Sequence, residues 1–499
     1  MIIKKTTAAL YTAYTDQLRR VADLRCANAV LQWDQETYLP KNGADFRGQQ
    51  LATVGELAHQ FFTAATVGDL LQELGSREDL DSVQKKNITL SAYDYSKAVK
   101  LPATFVRRMS EQVTKSYHAW VGARNQNSFG VFKPELEKLV VLKKQEADLL
   151  GYEGHAYNAL LNEYERGSTV QWLDGVFGKL LQPLKSLVKD VTAKQTPVRN
   201  PLAQFFPKDL QWAFCNDLLQ LMGFDFDSGR QDLSEHPFTT SFSPQDVRIT
   251  TRIDENNLGY MTWSTLHELG HAWYEQGLPA LQYGLPLGEA CSLSIHESQS
   301  RLWENGIGRS PAFCEWLLPV IARHFPIQMK DVTPEQLYQS LNIVTPSLIR
   351  TEADELTYHF HVMIRYQIEK RIMAGDLQVG DIPILWNELY SEYLGVKVPD
   401  DKNGCLQDIH WSHGSFGYFP TYSLGSLYAV QLLNRIGAEV PDMDDKLSAG
   451  SFEPVLAWLR SNVHKQGRSM ESDELCKFLC EQGLETNLFI RYGRSKFLP

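Results

Sequence analysis

His267-Glu268-Leu269-Gly270-His271 constrains this 499-residue chain more than any other stretch, because it demands a helix that turns two imidazoles towards one point. An α-helix advances about 6 Å over four residues and turns about 40° past a full circle, so His267 and His271 share a face. Glu268 lies one step round from the first histidine, within reach of a metal-bound water and badly aimed as a third ligand. That is the layout of a zinc hydrolase. In the flanking segment Met261 to Gln276, Leu266, Leu269, Trp273 and Tyr274 recur at helical intervals, and Gly277 reads as a stop. Two interior histidines hydrogen-bonded in a helical core are the bland alternative. The intervening glutamate and the helical setting favour the metal.

A catalytic zinc needs a third protein ligand and an open position for water. Glu289, His296, Glu297 and Glu304 are the downstream candidates. Gly288 to Trp303 reads as a second helix, following the loop Gly284-Leu-Pro-Leu-Gly288. Glu297 falls inside that helix on a face with Leu293 and Arg301, where a carboxylate is costly unless a charge meets it. A metal ion is such a charge. A third histidine six residues after the second would mark the other large class of site, and that position is Gly277.

Six motifs in chain order make the chain resemble the M32 metallocarboxypeptidases, the carboxypeptidase Taq family. They are His236-Pro237-Phe238, Asp246-Val-Arg248-Ile-Thr250, His267-Glu-Leu-Gly-His271, His296-Glu-Ser-Gln299, Ile349-Arg-Thr-Glu-Ala-Asp354 and Gly404-Cys-Leu-Gln407-Asp408-Ile-His410-Trp411. Trp33-Asp-Gln-Glu-Thr-Tyr-Leu-Pro40 and Tyr157 to Gly167 are similar as well, so the resemblance spans nearly the whole chain. It implies His267, His271 and Glu297 as metal ligands and Glu268 as catalytic base. It also implies removal of single residues from peptide C-termini, zinc replaceable by cobalt or manganese, and a homodimer. The fold expected is mainly α: one domain over residues 1–499, a two-lobed helical body around a deep cleft, with a small sheet beside the metal helix.

Histidine and tyrosine donors are wanted opposite the metal, to share charge developing on a substrate oxygen. Asp408 to Tyr422 supplies His410, His413, Tyr418 and Tyr422 in a glycine-broken stretch. Resemblance to related zinc peptidases, with a histidine and a tyrosine about ten residues apart, favours His413 and Tyr422. An exopeptidase must also recognise a free carboxylate, for which the planar fork of arginine is suited. Arg350 is the first choice, oriented by Asp354 one turn on. Arg248 is the second, although a structural salt bridge with Asp246 is the better reading of it. His236-Pro237-Phe238 reads as a buttress with no chemical step. A helical oligopeptidase, or a dipeptidyl-carboxypeptidase, uses the same metal site and is the nearer alternative; a silent peptide-binding scaffold is the remoter one.

Net charge of -11 and a pI near 5.7 argue against nucleic acid and anionic membranes as partners. Nothing in the sequence approaches a membrane span, and the first residues lack the apolar run of a secretory signal. Seven scattered cysteines are too few for a disulfide framework, so a reducing cytoplasm is expected. Cys476 and Cys480, one helical turn apart, read as core fillers.

Helical spacing of apolar residues predicts helices over Leu10 to Leu31, Gln50 to Leu74, Ala103 to Arg124, Pro134 to Leu150, Val170 to Lys194 and Ile349 to Ala374. Thr333-Pro334-Glu335-Gln336 is a helix start with a capping box. Only Asp246 to Asp254 reads as a strand, with an edge that an extended peptide could pair with.

Overall fold

The computed structural model describes residues 6–498. Nine helices precede the sheet: α1 Thr7–Thr37, α2 Ala44–Phe62, α3 Ala65–Gly75, α4 Ser82–Ala98, α5 Ala103–Gln126, α6 Phe129–Leu150, α7 Tyr157–Tyr164, α8 Val170–Lys194 and α9 Lys208–Met222. Strands β1 Gly229–Leu233, β2 Thr239–Ser243 and β3 Asp246–Thr251 follow. After them come α10 Leu258–Gln276, α11 Leu293–Arg301, α12 Pro311–His324, α13 Pro334–Leu341, α14 Tyr358–Ala374, α15 Ile382–Leu394 and α16 Pro420–Glu439. The chain closes with α17 Met443–Ser448, α18 Glu453–Asn462, α19 Ser472–Cys480 and α20 Thr486–Phe497. The described residues are mainly helical, as expected, with one small sheet.

Buried apolar side chains form two clusters. The larger draws on α5 to α20 and the sheet, and includes Trp273, Trp303 and Trp386. The smaller joins α1, α3 and α4 through Leu18, Val67, Leu71 and Ile88, and meets the following body at Leu285. No helix among the described residues is long and apolar enough to cross a membrane.

Caps set the helix starts that matter for the site. Asn257 accepts a hydrogen bond from the Tyr260 amide to start α10, and Ser292 accepts from Ile295 to start α11. The expected capping box at Thr333 and Gln336 is present. After α11 the helix continues as a π-helical turn over Leu302–Ile307, which carries Glu304.

Four expectations about the elements change. The helix expected from Gly288 begins only at Leu293, where Ser292 caps it. The helix expected over Gln50 to Leu74 breaks at Thr63, whose hydroxyl bonds the His59 carbonyl, and Ala64 is extended. The helix expected from Ile349 begins only at Tyr358, after a short 3-10 turn at Arg350–Glu352. Asp354 is the reason: its carboxylate captures the Leu356 and Thr357 amides, each at 3.0 Å, and the Thr345 amide at 3.0 Å. The expected strand is the centre of a three-stranded sheet, parallel to β1 and antiparallel to β2. Both edges of β3 are therefore taken, and the outer strand on the antiparallel side is β2, whose Phe242 carbonyl accepts from the Cys26 thiol of α1.

Candidate metal centre

α10 and α11 cross closely enough to bring three ligand atoms together. His267 Nε2 lies 3.6 Å and His271 Nε2 3.4 Å from Glu297 Oε2, and the three ligand atoms lie within 4.8 Å of one another. Ligands about 2.0–2.1 Å from a tetrahedral zinc stand about 3.3–3.4 Å apart, so these donors are close to closing on an ion. The crossing depends on Gly270. A Cβ there would sit 2.6 Å from the Gln299 carbonyl oxygen and 2.6 Å from Ser300 Cα. A Cβ on Gly425 of α16 would be as crowded by the candidate ligand itself, 2.6 Å from the Glu297 Cβ.

Each candidate ligand is held from behind. Glu297 accepts from Arg301 Nε at 2.7 Å and from the Ser300 hydroxyl at 3.0 Å. His267 Nδ1 meets Glu304 Oε2 at 2.8 Å, and Glu304 is gripped by Arg301 at 3.2 Å and Arg309 at 3.5 Å. His271 Nδ1 meets His296 Nδ1 at 2.6 Å, and His296 Nε2 meets Glu275 Oε1 at 2.7 Å. Glu304, considered as a ligand, thus stands behind one. Burial lowers the imidazole of His271 to about 3, while at His267 the carboxylates of Glu297, Glu304 and Glu268 outweigh burial and raise it to about 9. Burial also works against the charge of Glu297, but Arg301 and the two histidines hold it well below the usual carboxylate range. Converging carboxylates around two imidazoles make a site that favours a cation, so the residues present fit a divalent metal.

Glu268 is buried beside this set, with its carboxylate accepting from the Thr239 hydroxyl at 2.6 Å. Burial raises its pKa, and His267 and Thr239 oppose the rise. Thr239 opens β2, directly after the His236-Pro237-Phe238 turn. That turn is tied down by Thr250, whose hydroxyl accepts from the Phe238 amide at 2.9 Å. His236 itself is exposed.

The wall segment differs from expectation in its histidine. His410 Nε2 lies 3.1 Å from the Tyr422 hydroxyl, while His413 is exposed with its ring against Tyr117, 5.5 Å between centroids. Both histidines lie on one short 3-10 turn, and its orientation decides which of them turns inward. Tyr418 packs at steep ring angles between Tyr164 and Tyr422, each 5.2 Å away between centroids. Burial, reinforced by Arg350, lowers His410 to about 3 and keeps it neutral.

Arg350 is buried against Tyr422, its guanidinium carbon 4.9 Å from the ring centre. Asp354, expected to orient it, instead ties down the segment ahead of α14. The orienting carboxylate is Asp408, which accepts from Arg350 Nε at 2.9 Å and from Arg365 Nε at 2.6 Å. Gln407 completes the frame, accepting from the Arg350 amide at 2.9 Å and Arg365 Nη2 at 2.8 Å. Arg350 Nη1 donates to the Tyr358 hydroxyl at 2.8 Å, and Nη2 makes no hydrogen bond among the described residues. The Tyr358 ring also carries Arg301, 4.6 Å from its centre, so Arg350 and the arginine gripping Glu297 share one tyrosine. Arg248 is committed elsewhere: Asp246 takes its Nε and Nη2, both at 2.9 Å, and it lies 4.4 Å from the Trp33 ring centre.

Gln299 lies buried behind the ligand helix, bonded to Ser298 at 3.0 Å and His464 at 3.1 Å. Trp411 donates to Glu369 at 2.8 Å. Thr239, Arg365, Glu275 and Glu369 were not read from the sequence, and no local pattern marks them.

A family model described as carboxypeptidase Taq (M32) metallopeptidase matches residues 13–497. The chain belongs to this family. Carboxypeptidase 1 of Bacillus subtilis is 37% identical over 489 residues, 97% of each chain. Thermostable carboxypeptidase 1 of Thermus thermophilus is 35% identical over 505 residues, 99% of each chain. Among solved structures, the M32 carboxypeptidase of Deinococcus radiodurans superposes with a TM-score of 0.96 at 38% identity, covering 98% of this chain and 99% of the other. Metallocarboxypeptidase 1 of Trypanosoma cruzi gives 0.95 at 35% identity, covering 98% and 100%. As an M32 member the protein is a metallocarboxypeptidase, a hydrolase of peptide bonds.

Proposed function

We propose that this M32 enzyme is a zinc-dependent carboxypeptidase that releases single residues from the free C-termini of peptides. The observation that carries the reading is Arg350, a buried guanidinium with an uncommitted Nη2, sharing Tyr358 with the arginine that grips Glu297. A carboxylate receptor linked to the ligand set through one shared tyrosine supports a cut near the chain end.

His267, His271 and Glu297 would hold the metal, which when bound polarises the scissile carbonyl and acidifies a water molecule. Glu268 takes the proton from the attacking water and returns it to the leaving amine. Its burial supports both halves of that task, because a raised pKa brings a carboxylate nearer to the proton it must release. Thr239 keeps its carboxylate aimed. Tyr422, paired with neutral His410, supplies a hydrogen bond to the oxygen of the attacked carbonyl. Tyr418 lines the same wall. Arg350 binds the terminal carboxylate, and Asp408 orients it. Arg248 and Asp354 serve the scaffold in this reading, as does His413 from its exposed position. Seven free cysteines support a reducing, cytoplasmic setting, and the homodimer rests on family resemblance.

Glu268→Gln tests the chemistry: metal content should be unchanged and kcat should fall about 10³-fold, within the range of acid–base contributions. Mass spectrometry of products from one peptide, with a free and an amidated C-terminus, tests the specificity. A single-residue ladder from the free peptide alone is expected; internal cleavage of the amide would establish an endopeptidase instead.

A further inference from the structure

The two candidate imidazole ligands are backed in different ways. Behind His267 stands a carboxylate, Glu304, at 2.8 Å. Behind His271 stands another imidazole, His296, and only behind that a carboxylate, Glu275. Glu275 follows His271 by one turn on α10, whereas His296 projects from α11 beside the ligand Glu297. Three side chains from two helices are therefore threaded in series.

Proton counting gives that series a direction. A His271 ring that offers a metal the lone pair of Nε2, the nitrogen facing Glu297 Oε2 at 3.4 Å, carries its hydrogen on Nδ1. At 2.6 Å from it, His296 Nδ1 is then the lone pair that accepts this hydrogen. The hydrogen of His296 sits on Nε2 and goes to the Glu275 carboxylate, an acceptor, at 2.7 Å. Reversing either hydrogen bond would put a hydrogen on His271 Nε2, where a metal must bind. We propose that His296 and Glu275 are positioning residues, a two-link relay that fixes the tautomer and ring angle of His271 for the metal. The inference rests on the metal-site reading above and goes beyond it in assigning roles to two residues that touch neither metal nor substrate.

The relay also joins the ligand helices. His296 packs its ring 4.6 Å from that of His271 and 5.2 Å from that of Tyr274, so phenylalanine at 296 keeps the packing and removes both polar contacts, the acceptor for His271 and the donor to Glu275. Glu275 is different, because it lines a cavity of about 470 Å³ bounded by α1, β2 and the 278–290 loop. Water there can replace part of a lost carboxylate, which makes Glu275 the milder position to change.

The test measures metal affinity of apo-protein by competition with a chromophoric chelator for Zn²⁺, alongside thermal melting of the apo form. His296→Phe should weaken Zn²⁺ about 10- to 100-fold, the usual effect of losing a partner behind a ligand, with little change in apo melting. His296→Asn, whose amide oxygen lies near the position of Nδ1, should recover part of the loss. Glu275→Gln keeps an acceptor and should cost only a few-fold. Because the two residues act in series, His296→Phe with Glu275→Gln should be no weaker than His296→Phe alone, whereas Glu304→Gln should multiply its effect. Affinity within threefold of the parent in folded His296→Phe, or multiplying losses at 296 and 275, would overturn the relay. A parent protein that fails to bind Zn²⁺ would instead overturn the metal-site reading itself.

Discussion

Replacing Gly270 by alanine sets two physical effects of opposite sign against each other. In an exposed helix interior the change favours folding by about 1 kcal/mol, since alanine loses less backbone entropy. At this crossing the new Cβ would stand 2.6 Å from the Gln299 carbonyl oxygen, 2.6 Å from Ser300 Cα and 2.9 Å from the Gln299 carbonyl carbon. Carbon atoms prefer about 3.5–4.0 Å. All three obstacles are backbone, which cannot rotate aside as a side chain does, so α10 and α11 must part by roughly 1 Å at that point. Overpacking of this kind costs about 1–3 kcal/mol, which cancels or exceeds the helical gain. The larger consequence falls on the metal. His271 is the next residue on one helix, Glu297 lies just before the obstructing backbone on the other, and ligand distances tolerate only about 0.2 Å of error. Gly270→Ala should therefore weaken Zn²⁺ at least about tenfold, or roughly 1.4 kcal/mol, and shrink the rise in melting temperature that the metal confers. Chelator competition and thermal melting of the apo and Zn²⁺-loaded forms measure both quantities. A variant that melts above the parent without metal and binds Zn²⁺ equally well would refute the close-contact argument.

Arg350→Ala should raise KM for peptides with a free C-terminus about 10- to 100-fold, the worth of a charge-assisted hydrogen bond, and leave amidated peptides unaffected; the same loss in Arg248→Ala instead would reverse the assignment. Asp408→Asn leaves the buried Arg350 and Arg365 without their shared carboxylate, and should cost about 3–5 kcal/mol of stability in chemical denaturation; a loss under 1 kcal/mol would contradict the frame described for Arg350. Glu369 joins α14 to the wall segment, accepting from Trp411 and the Gly417 amide, both at 2.8 Å, and burial raises its pKa from 4.5 to about 7. The folded state therefore holds this proton more tightly than the unfolded chain, so the contribution is full below pH 4.5 and is lost as pH rises through 7. Between pH 5 and 8 the loss is roughly 2–3 kcal/mol. The stability difference between parent and Glu369→Gln should shift by that amount over the same interval, and a difference constant with pH would show that the carboxyl titrates normally.

The metal helix, the start of α13, the bounds of α8 and the helix bearing Glu297 were all legible in the linear order of residues. Each rests on a short-range rule, such as apolar periodicity, a cap three residues from its partner, or two histidines one turn apart. The family motifs likewise mark stretches that the structure brings near the candidate ligands, His267, His271 and Glu297. Tertiary structure alone decided which side chains in those regions meet. β1 and β2 read Gly-Arg-Gln-Asp-Leu and Thr-Thr-Ser-Phe-Ser, with no apolar alternation, because β3 pairs with them through backbone hydrogen bonds that leave no compositional trace. Thr239 reaches Glu268 across 29 positions, and Arg350 finds Asp408 across 58 in place of Asp354 four residues away. His410 rather than His413 turns inward, because the orientation of one 3-10 turn is set by what packs around it. Spacing along the chain determines which residues share a helical face. Which carboxylate meets an arginine, or which imidazole backs a ligand, depends on how helices cross, and that is fixed by the close approach of backbones at residues such as Gly270 and Gly425.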